Sequence, residues 1–262
     1  MKLLDYDRSF YEVVVVDDGS TDGTKEKLEE IKGINIVYVR TERHGAPHAR
    51  NIGIEKSKNT VIVFLDSDVI LEKNILKAYS KDFSNKYIDI VQGNVWEQMI
   101  NTKLTAIHSK WRHSAFLDKV QSSDGFLKTL DTRNVAVKKS LLKKFAESGN
   151  DLFNEKMTTT NGEDRELGYR LVEFGAKIIL DEKAIVYHKD PITLWGIFMQ
   201  KYKHAKGDAK LGISERIYDL SNFNRAVLRP TRFGVPIPFS FLAWAFHICG
   251  SEVEIARERF KI

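Results

Sequence analysis

Two apolar runs that end abruptly in acids limit the folds open to this chain. Val13-Val14-Val15-Val16 runs into Asp17-Asp18-Gly19, and Thr60-Val61-Ile62-Val63-Phe64-Leu65 runs into Asp66-Ser67-Asp68. β-Branched runs without polar alternation predict strands covered on both faces, as in sheets flanked by helices. Helical signals lie between them. Ser20, Thr21 and Asp22 are acceptable caps ahead of an apolar edge of Leu28 and Ile31. Ile34 to Val39 alternates as a strand, and Ala46 to Lys56 predicts a helix with Pro47 in its first turn. A helix from about Leu71 to Phe83 follows the third strand. Strands alternating with helices indicate an α/β fold with a largely parallel central sheet.

The middle of the chain is less regular. Ile88 to Gly93 and Asn134 to Lys138 are short strand candidates, with a helix expected from Lys103 to Asp118 between them. Glu163 to Phe174 predicts a helix with Leu167, Leu171 and Phe174 on one side and Gly175 as its terminator. Two short strands, Lys177 to Leu180 and Ala184 to Tyr187, lead to His188. Beyond Pro191 the composition turns aromatic and basic, which places a domain boundary near 190: residues 1–190 as one domain and 191–262 as an extension.

Composition narrows the function classes. The 262 residues carry 41 Lys+Arg against 36 Asp+Glu, a net charge of +5, too mild to imply a nucleic-acid partner. A single cysteine, Cys249, excludes an internal disulfide framework and any cysteine-built zinc site, and fits a reducing, cytoplasmic compartment. The opening MKLLDYDRSF has no basic and then apolar pattern of a signal peptide.

Acids just past the C-terminal ends of parallel strands are where open α/β sheets bind ligands. A pair such as Asp66-x-Asp68 can hold a hard divalent cation, which can in turn bridge a diphosphate. A competing motif, Asp18-x-Ser20-x-Asp22-Gly23 with Glu29, nearly fits a calcium loop. That loop needs a preceding helix, whereas Val13 to Val16 is a strand former, and Lys25 stands at an aliphatic position. Calcium is rejected there.

VVVVDDGSTDGT (Val13 to Thr24), GAPHARN (Gly45 to Asn51), VIVFLDSD (Val61 to Asp68) and NGEDRELGYRL (Asn161 to Leu171) resemble, in order and spacing, the family 2 glycosyltransferases. The resemblance covers about residues 3 to 190. It implies a GT-A-like fold, a nucleoside-diphosphate sugar donor (UDP-linked as the first expectation) and Mg²⁺ or Mn²⁺. It also implies a hydroxyl acceptor such as a polysaccharide, a lipid-linked sugar or a protein glycan. Asp18, with Asp17 beside it, matches the acid that meets the nucleotide base, and Arg50 a basic residue near base and ribose. Asp66 matches a ribose or metal contact and Asp68 a direct metal ligand. Asp164 is similar to the catalytic base, with Glu163 as its neighbour, and His188 to a histidine that adds a metal contact in some members. A carboxylate at a helix start is favoured by the helix dipole, and a positioned carboxylate can take the acceptor's proton. One such base without a second nucleophile points to inverting displacement.

Blander uses stand beside these. Glu163 and Asp164 also suit a helix start, Arg50 a surface helix, and His188 a polar strand end. The roles of Arg133 and Asn134 stay open. Trp96, Trp111 and Trp195 could stack on sugars, though core packing is the expected use. Family members open with a further strand and helix beside the strand that ends at Asp17. Here Leu3 to Tyr6 resembles the end of that helix, so an unpaired slot in the sheet is expected. The apolar stretch Phe233 to Gly250, interrupted by Pro236 and Pro238, falls at the short end of the about 17–25 residues that span a bilayer. With its basic and aromatic flanks it suits either an interfacial helix on a membrane surface or a core helix. Two rivals remain: a sugar nucleotidyltransferase, whose Gly-rich phosphate loop is not visible, and a non-catalytic binding module.

Overall fold

The computed structural model describes residues 4–97, 122, 124–157, 162–188, 195, 196, 199 and 202. The chain divides into two compact units, the first made of Met1–Val95, Phe126–Thr159 and Glu163–Tyr187. The expected helix at 103–118 and the apolar stretch at 233–250 lie outside the described residues. Among those that are described, no helix is long and apolar enough to cross a membrane. In the second unit Trp195 is 66% exposed, so the core packing expected of it does not occur.

The first unit is α/β, as expected, but its strands form two sheets. β1 (Val13–Asp17) and β2 (Ile36–Arg40), joined through α1 (Thr24–Glu29), pair in parallel, with Val13 opposite Ile36 and Asp17 opposite Arg40. The run before Asp18 is therefore a strand, which removes the helix a calcium loop would need. α2 (Ala46–Lys56) has the boundaries the sequence suggested and passes close over β1, where a side chain at Gly53 would meet Val16 at 3.8 Å.

The second sheet contains β3 (Val61–Leu65), β4 (Val69–Leu71), β5 (Ile90–Glu97), β6 (Asn134–Lys138) and β7 (Ile178–His188), in the order β3-β6-β5-β7-β4. β6 runs antiparallel to both neighbours, with Leu65 opposite Asn134 and Val91 opposite Ala136. The sheet system is thus mixed: β1 and β2 pair in parallel, as expected of a largely parallel sheet, and β6 pairs antiparallel with β3 and β5. Among the described residues no strand pairs with the outer edge of β1, beside which the unpaired slot was expected. The four valines of β1 are accordingly only half-buried.

Helices cover the larger sheet: α3 (Ile75–Asp82), α4 (Lys139–Glu147) and α5 (Glu163–Glu173). Ile75 and Tyr79 of α3 pack with Val91, Ala136, Ala184 and Val186. On α4, Leu141, Leu142 and Phe145 are buried, and on α5 Leu167 and Leu171, four residues apart, do the same. Gly168 is obligatory, because a Cβ there would lie 2.6 Å from the Leu130 amide nitrogen. Gly175 (φ +101) ends α5 as expected. Phe174 does not join the buried stripe. It is 43% exposed and meets Phe145 edge-on at 5.3 Å.

Two boundaries differ from the sequence reading. The helix expected from Leu71 begins at Ile75, because Val69–Leu71 adds a strand at the sheet's end and the Glu72 amide bonds to the Ile185 carbonyl at 3.1 Å. The two short strands around Asp181-Glu182-Lys183 are one continuous strand, β7. Its polar middle is largely exposed, so water rather than a chain reversal accommodates the charges.

Candidate active site

The first pair of acids closes β1. Asp17 is 3% exposed, and its carboxylate is satisfied from within. Tyr38 Oη donates to Oδ2 at 2.6 Å, Arg40 to the same oxygen at 3.1 Å, and the Ser20 amide to Oδ1 at 2.7 Å. The Tyr38 hydroxyl and Ser20 hold the Asp17 carboxyl down at about 2, and the same bond raises the Tyr38 hydroxyl. Asp17 therefore ties β1 to β2 and does not present its carboxylate outward beside Asp18.

Asp18 latches the following loop. Its Oδ1 accepts from Thr41 Oγ1 and the His44 amide, both at 2.8 Å, and its Oδ2 from the Gly45 amide at 2.7 Å. Burial acts to raise its pKa, but the Gly45 and His44 amides and the Thr41 hydroxyl outweigh it and hold the carboxyl below its ordinary value. The loop is tight: Arg43 has φ +40, and a Cβ on Gly19 (φ +84) would lie 2.7 Å from Arg43 Cγ. The DDG and RHG turns interlock around this one carboxylate.

α2 then carries two side chains inward. Asn51 clamps the 153–155 segment: its Nδ2 donates to the Phe153 carbonyl at 2.9 Å and Glu155 Oε1 at 2.8 Å, and its Oδ1 accepts from the Phe153 amide at 3.0 Å. Arg50 lies beside it with its guanidinium 5.6 Å from the centre of the Phe153 ring. It donates to Glu163 Oε1 at 2.6 Å and to Asp66 Oδ1 at 3.4 Å. One guanidinium thus spans the rim of β3 and the first residue of α5.

The second pair of acids follows β3. Asp66, Asp68 and His188, the last residue of β7, each offer a ligand atom within 4.8 Å of the others. Two carboxylates and an imidazole so placed suit a hard or borderline divalent ion, whose opposite ligands stand about 4.2 Å apart for bonds of about 2.1 Å. These donors fit Mg²⁺ or Mn²⁺. Next to Glu163, Asp164 accepts from the Arg165 amide at 2.7 Å and the Thr132 amide at 3.4 Å. Thr129 Oγ1 donates to the Arg165 carbonyl at 2.9 Å, pinning the 129–132 segment to the same helix end.

Asp66, Arg50, Glu163 and Asp164 therefore gather on one side, although the sequence spreads them over more than a hundred residues. Arg133 pairs with Asp131 in its own turn. Asn134 is a core hub: it accepts from Tyr79 Oη at 2.6 Å and donates to the carbonyls of Asn94 at 3.0 Å and Ala184 at 2.8 Å. Sequence reading did not single out Gln92, which is buried in β5. Its Nε2 donates to the Asn134 carbonyl at 2.9 Å, and its Oε1 accepts from the Asp131 amide at 2.7 Å. The available signal was the pair of amides, Gln92 and Asn94, among apolar residues in IVQGNV. Thr132, which acts through its backbone, left no signal.

Residues 2–146 match the model of glycosyl transferase family 2, more than half of the 262-residue chain. The chain belongs to glycosyl transferase family 2. Among its curated relatives, the glycosyltransferase AglE of Haloferax volcanii is 39% identical over 93 residues, covering 34% of this chain and 31% of that protein. The glycosyltransferase GlyA of Streptococcus pneumoniae is 26% identical over 218 residues, 80% of this chain and 30% of GlyA. The chondroitin synthase of Escherichia coli is 26% identical over 214 residues, 69% of this chain and 30% of the synthase. The chain spans about 30% of the length of these relatives. Among solved structures, the mannosyltransferase PcManGT from Pyrobaculum calidifontis in complex with GDP-Man and Mn²⁺ superposes with a TM-score of 0.61. At 17% identity it covers 99% of this chain and 69% of its own. Staphylococcus aureus TarS 1-349 in complex with UDP-GlcNAc gives 0.55 at 16% identity, covering 99% of this chain and 85% of its own. The family's GT-A fold is thereby established for this chain.

Proposed function

We propose that this glycosyltransferase moves a hexosyl or N-acetylhexosaminyl unit from a nucleoside-diphosphate sugar to a hydroxyl acceptor by a single inverting displacement. The observation that carries the reading is the gathering of acids: Asp66 and Asp68 with His188 at one rim, and Asp66 joined through Arg50 to the helix end that bears Asp164. Like charges collect in this way where a cation and a diphosphate are to be handled.

Asp18 and its latched loop form the nucleotide side of the site. Asp66, Asp68 and His188 are the residues that would hold Mg²⁺ or Mn²⁺, and the ion would supply Lewis-acid stabilisation of the diphosphate leaving group. Asp164 accepts the proton of the acceptor hydroxyl as that oxygen bonds to the anomeric carbon. The electron pair of the breaking bond leaves with the nucleoside diphosphate. Two backbone amides, of Thr132 and Arg165, orient the Asp164 carboxylate for this task.

A UDP-linked donor is the first choice; TarS has been solved with UDP-GlcNAc and PcManGT with GDP-Man. A polysaccharide acceptor accords with relatives named chondroitin synthase and poly-β-1,6-N-acetyl-D-glucosamine synthase. The test is a thermal-shift panel of UDP, GDP, CDP and dTDP, each with Mn²⁺. UDP with Mn²⁺ should stabilise most, and EDTA should abolish the effect. No shift with any nucleotide would count against the donor assignment.

A further inference from the structure

We infer that Arg50 is a positioning residue: it sets the base-bearing end of α5 against the β3 rim, and it does not serve as a contact to the nucleotide. The inference rests on the transferase reading above and assigns a task within the same site.

Three observations carry it. First, both terminal nitrogens of the guanidinium are committed, one to Glu163 and one to Asp66. Second, the side chain is held in place. It is 18% exposed, and its cation faces the ring of Phe153. That ring meets Phe64 of β3 edge-on at 5.5 Å. The backbone of Phe153 is fixed by Asn51, the residue next to Arg50. Third, Glu163 is itself only 12% exposed in its side chain and is the first residue of α5, adjacent to Asp164. A carboxylate buried to that degree is stable as the partner of a guanidinium, which makes Glu163 the counterion of Arg50 and leaves proton transfer to Asp164.

The adjacent arginine and asparagine on α2 thus hold different parts of the site. Asn51 fixes the segment under the guanidinium, and Arg50 fixes the carboxylates on either side of it. The guanidinium N–H groups not used in these two bonds belong to a side chain that is 18% exposed, and the ion pairs and the Phe153 ring fix its plane. Lysine cannot take over the role, because a point charge cannot fork to two carboxylates while lying flat on a ring.

The test uses Arg50→Lys, Arg50→Met, Glu163→Gln and the double variant Arg50→Met/Glu163→Gln, each compared with wild type. Three readouts apply: single-turnover transfer, donor affinity by calorimetry with Mn²⁺, and hydrogen exchange at the Leu167 and Gly168 amides, whose helical acceptors are Glu163 and Asp164. Misplacing a reacting group by about 1 Å costs about 100-fold, so turnover should fall about that far in both Arg50 variants. Donor affinity should stay within about threefold, since no nucleotide contact is lost. Exchange at Leu167 and Gly168 should speed up about tenfold while Val135 to Val137 of β6 stay protected. Glu163→Gln keeps the shape and should act in the same direction, and the double variant should be no worse than Arg50→Met alone. A donor affinity that drops tenfold with helix exchange unchanged would overturn the inference. If wild type itself binds no donor and transfers nothing, the transferase reading fails, and the exchange measurement still decides whether Arg50 positions α5.

Discussion

The rim of β1 and the rim of β3 begin alike, each an apolar strand ending in two acids, and they use those acids in opposite ways. At β1 the carboxylates are consumed by the protein. Asp17 takes a phenol, a guanidinium and an amide, and Asp18 takes a hydroxyl and two amides. At β3 the carboxylates are brought toward one another and toward His188, with Glu163 and Asp164 arriving from α5. Donors gathered around an acid build a turn, whereas acids gathered beside an imidazole offer a seat for a cation. The comparison teaches that strand-end acids are not one functional class. Their neighbours divide them into struts and candidate ligands.

The largest expected effect sharpens the β3 side. Asp164→Asn should lower transfer by about 10²–10⁴-fold, the range of a lost general base, while leaving the thermal midpoint within a few degrees. Unchanged transfer would show that the base lies elsewhere. Asp68→Asn should weaken Mn²⁺ binding by about 100-fold, measured by calorimetry without substrate, with the fold intact by circular dichroism. Retained Mn²⁺ affinity would erase the distinction between the two rims.

On the β1 side the effects should appear first in structure. Asp18→Asn leaves one oxygen for three donors. Donor affinity should fall about tenfold, and the His44 and Gly45 amides should exchange faster than those of α2, as expected for lost charge-assisted bonds. Smallest is Tyr38→Phe. Loss of its hydroxyl should raise the Asp17 carboxyl from about 2 toward 3.8, followed by carbon-13 titration. The sign follows from the depressed value. Asp17 stabilises the fold fully above its unfolded pKa, about 3.9, and this contribution is lost as pH falls toward 2. In Tyr38→Phe a smaller contribution is lost and is gone at a higher pH. A titration unchanged from wild type would mean that Tyr38 is not what holds Asp17 ionised.

Elements with a strong local signature were legible before the fold was known. α2 follows Gly45 and Pro47 to its observed limits, β6 matches residue for residue, and α5 ends at Glu173, just ahead of Gly175. β4 was not legible, because three residues carry no measurable period and become a strand only against β7. The continuity of β7 through Asp181-Glu182-Lys183 was hidden for a related reason: charges resemble a turn until one knows that they face water. Asn134 and Gln92 were opaque because a polar side chain is a hub only when the groups around it are in place.

By itself the sequence determined the α/β class, the family, and the identities of the acids that terminate the strands, because these depend on local pattern and spacing. Tertiary structure alone decided that β6 runs antiparallel to both its neighbours, that Asp17 and Asp18 turn to protein donors, and that Arg50 spans from Asp66 to Glu163. The physical reason is range. Hydrogen bonds and ion pairs act over a few ångströms in space, and Arg50 stands 16 positions from Asp66 and 113 from Glu163 along the chain.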